Sequence, residues 1–275
     1  MPDARERRLA AACDLLTREQ LDGLLINSAA NIRYLSGFSG SSGLMFVSRK
    51  ERVLITDYRY TAQAKAEVGS VARVLIEEQS LWAGLWQQLA AMPGVRIAGF
   101  ESAYLVHRDF QRLLESGSRW QWRPTTGLIE SLRERKDDVE LAHLREAVSC
   151  AEAALAVAIT RIRAGLSELE IAGVLEGALR QMGSEEFAFP SIVASGLNAA
   201  KPHARPTERV LRTGELLLLD FGARVGGYCS DITRTFVAGR ADARQQEVHE
   251  VVRLANERAS AAVRPGMSGR DADRL

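Results

Sequence analysis

The sequence is short of cysteine, of histidine and of any charge excess, and each shortage removes a class of protein. Its three cysteines, Cys13, Cys150 and Cys229, stand far apart with no zinc or redox spacing. They describe neither a disulfide framework nor a Cys-x-x-Cys centre, and they fit a reducing compartment. Lys+Arg 36 against Asp+Glu 35 leaves a net charge of +1, so no global field attracts nucleic acid or an anionic membrane. Local basic clusters, Arg5 to Arg8 and Arg133 to Lys136, are interleaved with acids and read as solvated helix faces. No apolar run approaches a membrane span, and the charged stretch Met1 to Arg8 is not followed by a signal-peptide core. A cytoplasmic protein is expected. What remains is globular material: 275 residues, 46% hydrophobic and 26% charged, enough for one or two domains with a sizeable core.

The most informative stretch runs from Glu215 to Val237. Four leucines lead into Asp220-Phe221-Gly222-Ala223. A turn is expected over Arg224 to Gly227, and a second strand rich in Thr, Ile and Phe follows Asp231. With Val225 and Gly226 at the loop centre, Asp220 would stand directly opposite Asp231 on one face. Opposed side chains have Cβ atoms about 5 Å apart, and like charges so placed destabilise a sheet. Such a pair needs a counter-charge, and a divalent metal is the first candidate. The plain alternative is a strand-end acid capped by a backbone N–H or paired with Arg234.

Along the chain, residues 1–123 read as one α/β unit. It opens with a helix from Ala4 to Glu19 and has strands at Leu24–Ile26, Leu44–Val47, Val53–Thr56, Val71–Ile76 and Arg96–Phe100. Helices are expected at Leu81–Ala91 and Val106–Glu115. The Ser/Gly-rich stretch Ser36 to Gly43 lacks the Lys-Ser/Thr ending of a phosphate loop and reads as a hairpin connection. Asp57-Tyr58-Arg59-Tyr60 reads as the start of a helix. Pro124 with Thr125, Thr126 and Gly127 marks a composition break, so a second unit is placed over 124–275. There Leu141, Leu144, Val148, Ala151, Leu155, Ala158 and Ile162 recur at steps of three and four, a long amphipathic helix. Ser167 and Glu170 form a capping box for a helix ending at Gly183, and a third helix spans Asp242 to Val263. Ile162-Arg163-Ala164-Gly165-Leu166-Ser167 returns as Val263-Arg264-Pro265-Gly266-Met267-Ser268, each after a long helix. The repeat puts the end of the chain just inside the second copy's second helix, without strands matching Phe187 to Val237.

Phe189-Pro190-Ser191-Ile192-Val193-Ala194-Ser195-Gly196, then Asn198, Pro202-His203 and Pro206, then Asp220-Phe221-Gly222-Ala223 and Gly227 to Thr235 resemble the proline-specific metallopeptidases. These are prolidase and aminopeptidase P, relatives of methionine aminopeptidase and creatinase. The resemblance is dense from about Val139 to Gly239. In front, Asn31 to Phe38 and Ile55 to Tyr60 resemble the creatinase-type N-terminal domain. It implies an α/β (α+β) fold class: a creatinase-like domain followed by an incomplete pita-bread domain, its second half missing. It implies a site for two divalent metals, commonly Mn or Co, held by two Asp from the first half and one His and two Glu from the second. Asp220 and Asp231 match the first two; the sequence has no match for the other three. Carboxylate oxygens suit hard divalent ions, which activate water and polarise a carbonyl.

His203 would, by the same resemblance, support the scissile carbonyl of a proline-containing peptide substrate. His107, His143 and His249 fall on helices and read as solvated or core-edge residues. His249 with Glu247 and Glu250 lacks the second His of a metal helix and is set aside. Phe187 and Phe189 are expected in the core, and Cys229 as buried filler turned away from Asp231. The function expected is metal-dependent hydrolysis of Xaa-Pro bonds, impaired by the missing ligands. The alternative is a non-catalytic peptide- or protein-binding scaffold, and a third reading is a fragment. An uncovered half-domain would leave sheet edge and apolar surface bare, so a homo-oligomer or a marginally stable chain is expected.

Overall fold

The computed structural model describes Asp3 to Leu275 and divides into two compact units, one through Val139 and one from Glu140. In chain order the first unit holds α1 (Ala4–Arg18), β1 (Gly23–Ile26), α2 (Ala29–Ser36), β2 (Leu44–Ser48), β3 (Arg52–Asp57), α3 (Thr61–Val68), β4 (Arg73–Glu77), α4 (Leu81–Ala90), β5 (Ile97–Glu101), α5 (His107–Glu115), β6 (Gln121–Thr125) and α6 (Leu128–Arg133). The strands form one mixed sheet in the order β4-β3-β2-β1-β5-β6. β1 is central and buried on both faces. Leu24 and Ile26 enter one core with Leu9, Leu16 and Leu35; Leu25 enters the other with Phe46, Leu85 and Leu113. Burying each such side chain is worth about 1.5–3 kcal/mol, so this short strand anchors both layers.

The second unit contains α7 (Asp138–Ile159), whose first residues belong to the first unit, α8 (Glu168–Gln181), β7 (Ile192–Ser195), β8 (Leu216–Phe221), β9 (Arg224–Val225), β10 (Tyr228–Cys229), β11 (Ile232–Val237), α9 (Ala243–Ala262) and α10 (Gly269–Asp273). β11-β8-β7 is an antiparallel sheet, and β9-β10 is a two-stranded ribbon. The inward residues of β8, Leu217, Leu219 and Phe221, pack on α7 and α8. The capping box is formed: the Ser167 side chain accepts from Glu170 N, and Glu170 reaches back to Ser167 N. The repeat also has a structural counterpart. Gly165 and Gly266 have φ of 97° and 88°, Ser167 and Ser268 cap the following helices, and Leu166 N–Arg163 O matches Met267 N–Arg264 O.

Several expectations change. Pro124, read as a domain break, lies inside β6, and the compact units divide after Val139. β6 pairs only with β5, and an edge strand tolerates proline because its N–H side need not join a ladder. The Ser/Gly stretch connects a helix to a strand, since α2 runs to Ser36 and ends at Gly37 with φ of 84°. α2, α6 and β6 have no counterpart among the expected elements, whereas the helix start read at Asp57 to Tyr60 is a 3-10 turn over Tyr58–Tyr60 that leads directly into α3. The buried residues of α7 are Glu140, Ala147, Cys150, Ala151, Ala154 and Ala158, chiefly alanines, while Val148 is exposed. Alanines let the helix backbone lie close to its neighbours, so the larger side chains fall to the flanks.

Candidate functional site

β8 alternates in burial. Leu217, Leu219 and Phe221 face the helices, which leaves Leu216, Leu218 and Asp220 on the opposite face. Ile192 of β7 stands across from Asp220 on one side and Thr233 of β11 on the other. The Thr233 hydroxyl donates to Asp220 Oδ1 at 3.0 Å. An apolar cavity of about 400 Å³, bordered by Ile162, Leu211, Leu217, Leu219 and Phe236, lies on the helix side of the strand and is separate from the aspartates.

The register departs from the expected one. The ribbon turns over Gly226 and Gly227, both at positive φ (58° and 82°), which sets Val225 opposite Tyr228 and Arg224 opposite Cys229. Two positive-φ residues are what a tight type I′ hairpin demands, and glycine meets that need without strain. Carried along the ladder, this register puts Thr233, not Asp231, across from Asp220. The difference is two residues, so the face is retained. Asp231 becomes a diagonal neighbour of Asp220, in the interruption between β10 and β11 where Gly222 passes close to Ser230. A Cβ at Gly222 would lie 1.9 Å from the Ser230 carbonyl oxygen.

The segment before Asp231 is tied to α7. Ser230 Oγ donates to Ala147 O at 3.0 Å and accepts from Ala223 N at 3.0 Å. Tyr228 OH donates to Glu140 Oε1 at 3.0 Å, and its ring stacks on His143 with centroids 5.6 Å apart and 9° between planes. Among the described residues neither aspartate has an ion-pair partner; Arg234, the alternative partner for Asp220, instead donates to the Thr233 carbonyl.

His203 is exposed on the loop that leaves β7. Ser195, the last residue of β7, stands beside Leu217, three residues along the strand from the level of Asp220, or about 10 Å. Among the described residues no three His, Cys, Asp or Glu side chains converge, so His203 is not gathered into one cluster with both aspartates. Cys229, expected as buried filler turned from Asp231, is exposed. Residues two apart on a strand share a face, and the ribbon has no layer over that side. Phe187 packs against the core with Arg180 5.4 Å above its ring, and Phe189 is half-buried. Two hydrogen-bond centres escaped the sequence reading: Glu168 at the start of α8 and Glu101 at the end of β5. Their partners are distant in sequence, and a lone glutamate carries no local signal of that.

As donors, Asp220 and Asp231 fit a hard divalent cation: two carboxylates on an accessible face without an ion-pair partner among the described residues, one held by a hydroxyl. The described residues provide only these two. Further coordination would fall to water, substrate or other protein groups.

Residues 142–275 match metallopeptidase family M24, and residues 8–135 match the creatinase/prolidase N-terminal domain. The gap between the two matches brackets the observed division after Val139. The uncharacterised peptidase YqhT of Bacillus subtilis is 35% identical over 255 residues, covering 93% of this chain and 72% of its own length. An Xaa-Pro dipeptidase from Bacillus anthracis superposes with a TM-score of 0.92 at 33% identity, covering 98% of this chain and 75% of that one. An X-Pro aminopeptidase from Thermotoga maritima superposes at 0.83 with 32% identity, covering 91% and 70%. The chain thus spans about three-quarters of the length of these relatives. By these matches, and by a mixed α/β fold of creatinase-like N-terminal domain followed by an M24 pita-bread domain, the chain belongs to the M24 metallopeptidases.

Proposed function

We propose that this chain carries the first half of a metal-dependent site for hydrolysing Xaa-Pro peptide bonds. The observation that carries the reading is Asp220: a strand carboxylate without an ion-pair partner among the described residues, oriented by Thr233, with Asp231 diagonal to it. In this reading Asp220 and Asp231 hold two divalent ions, Mn or Co. When bound, such ions supply water activation and carbonyl polarisation. The Thr233 hydroxyl fixes one oxygen of Asp220 and so orients the carboxylate that would hold an ion. His203 donates a hydrogen bond to the carbonyl oxygen and so favours the charge that develops on it. The substrate is a proline-containing peptide, and both dipeptides and longer peptides with Xaa-Pro at the N-terminus are candidates. Neither nucleic acid nor a membrane is a partner in this reading, which places the chain in the cytoplasm. The exposed apolar residues of α9, Val248, Val251 and Val252, support self-association as a homo-oligomer.

The alternative, a non-catalytic scaffold that binds peptides or proteins, is favoured by the supply of only two ligands among the described residues. Mn-dependent cleavage of an Xaa-Pro dipeptide and an Xaa-Pro tetrapeptide, beside an Asp220→Asn control, separates the two. Turnover abolished in the control supports hydrolysis. Peptide binding without turnover supports the scaffold.

A further inference from the structure

Residues 196–206 run from the end of β7 to Thr207 and carry His203, and they have little core of their own. Leu197 is 88% exposed and His203 is exposed; only Asn198 and Ala204 are buried. Apart from a short 3-10 turn at Gly196–Ala200, the segment has no regular structure. Yet both of its ends converge on one carboxylate. Glu168, fully buried at the first position of α8, accepts five hydrogen bonds. On Oε1 it receives Ser195 N at 2.7 Å and Ser195 Oγ at 2.9 Å. On Oε2 it receives Asn198 Nδ2 at 2.8 Å, Thr207 N at 3.0 Å and Thr207 Oγ1 at 2.7 Å. The backbone adds Glu168 N to Arg209 O and Leu169 N to Thr207 O. Arg209 closes the arrangement: it donates to Ser195 Oγ at 2.6 Å and forms a two-pronged pair with Glu215.

A buried carboxylate is costly unless its oxygens are satisfied, and five donors satisfy these. An apolar side chain would fill the same space without fixing the direction of either loop end. The departing end is Ser195 and Asn198, and the returning end is Thr207. Tying both to one rigid helix start removes the freedom that an 11-residue excursion would otherwise keep.

We propose that Glu168 is the positioning residue of this segment, clamping both its ends and thereby setting where His203 stands. The inference deepens the reading of His203 given above and rests on it for its functional meaning. The mechanism is mechanical. The carboxylate does not touch substrate, and it acts through the backbone directions of Ser195 and Thr207.

The test uses the full chain with Glu168→Gln, which keeps the volume but presents an amide group to donors. Two readouts are taken: amide hydrogen exchange across residues 196–207, and the imidazole NMR signal of His203. Exchange in 196–207 is expected to rise about tenfold or more, the scale of losing a buried bond to a charged acceptor, while β8 amides stay within about twofold. The His203 signal should shift or broaden. Unchanged exchange, or faster exchange with an unmoved His203 signal, overturns the proposal. If Glu168→Gln does not fold, Thr207→Val removes a single donor and should loosen the returning end and shift His203 to a smaller degree; no change in either overturns it equally. Neither readout needs turnover. A chain that fails to cleave Xaa-Pro peptides therefore counts against the proposed hydrolysis and leaves this result standing.

Discussion

Asp220 and Thr233 face each other across the β8–β11 ladder, and the threonine hydroxyl holds Oδ1 of the carboxylate at 3.0 Å. The bond fixes one oxygen of the carboxylate. Partners of this kind orient metal ligands, and their loss commonly weakens binding 10- to 100-fold. Thr233→Val is therefore expected to lower Mn affinity by about tenfold or more, and Asp220→Asn to remove binding. Titration calorimetry with Mn checks both. Equal affinity in wild type and Thr233→Val would show that the hydroxyl does not orient a ligand.

Gly222 lies where β8 gives way to the ribbon, and its missing side chain is a requirement of the backbone. A Cβ there would meet the Ser230 carbonyl oxygen at 1.9 Å and the Ala188 Cβ at 2.7 Å. The first obstacle is backbone and cannot rotate aside. Gly222→Ala should destabilise the second unit by about 3 kcal/mol or more, as steric intrusion into a packed site does. Faster hydrogen exchange over residues 216–237 is the measurement. The native tryptophan emission should hardly move, because Trp82, Trp86, Trp120 and Trp122 all lie in the first unit.

Ser230 joins Ala147 of α7 to Ala223 through one hydroxyl, next to Asp231. Ser230→Ala leaves a buried N–H and a buried carbonyl without this partner. The expected loss is about 1–3 kcal/mol of stability, read from denaturant midpoints at constant slope.

Two buried glutamates should respond to pH in opposite senses. Burial alone would raise Glu168, but hydrogen bonds from Thr207 and Ser195 outweigh it and hold the group below the usual glutamate value of 4.5. Its stabilisation is present above the unfolded value and fades as pH falls through the folded one. Glu101 is raised by burial, despite bonds from Asn31 and from the Ser28 and Asn27 amides. Its favourable contribution is complete below the unfolded value and is lost as pH rises through the folded one. The melting-temperature gap between wild type and Glu168→Gln should thus narrow on acidification below about pH 4.5. The gap for Glu101→Gln should move the other way. Parallel trends in the two variants would refute this assignment.

α9 has no buried residue and exposes Val248, Val251 and Val252 along its length. The chain is expected to self-associate or to melt at low temperature, and Val251→Glu should shift it toward monomer in light-scattering chromatography. A monodisperse monomer with a high melting point would sink this expectation.

Much of the architecture was legible because its causes are local. α1, the Ser167 capping box, the leucines of β8 and the helix after Asp242 each follow from spacing within a few residues. The repeat was legible for the same reason, since Gly165 and Gly266 both turn the chain at positive φ before a serine cap. Short elements without such spacing, α2 and α6 among them, were not. Their helices are held by packing on a sheet formed from distant strands.

Residue order alone thus reveals a pair of aspartates flanking a glycine-rich turn, motifs that belong with the M24 metallopeptidases, and a chain in two parts. The register emerges only in the folded chain, because a turn at Gly226 and Gly227 instead of Val225 and Gly226 moves every cross-strand partner by two residues. Folding alone also decides what Glu168 does. Ser195 and Thr207 lie 27 and 39 residues from it in sequence, and hydrogen bonds across such distances exist only once the chain has folded.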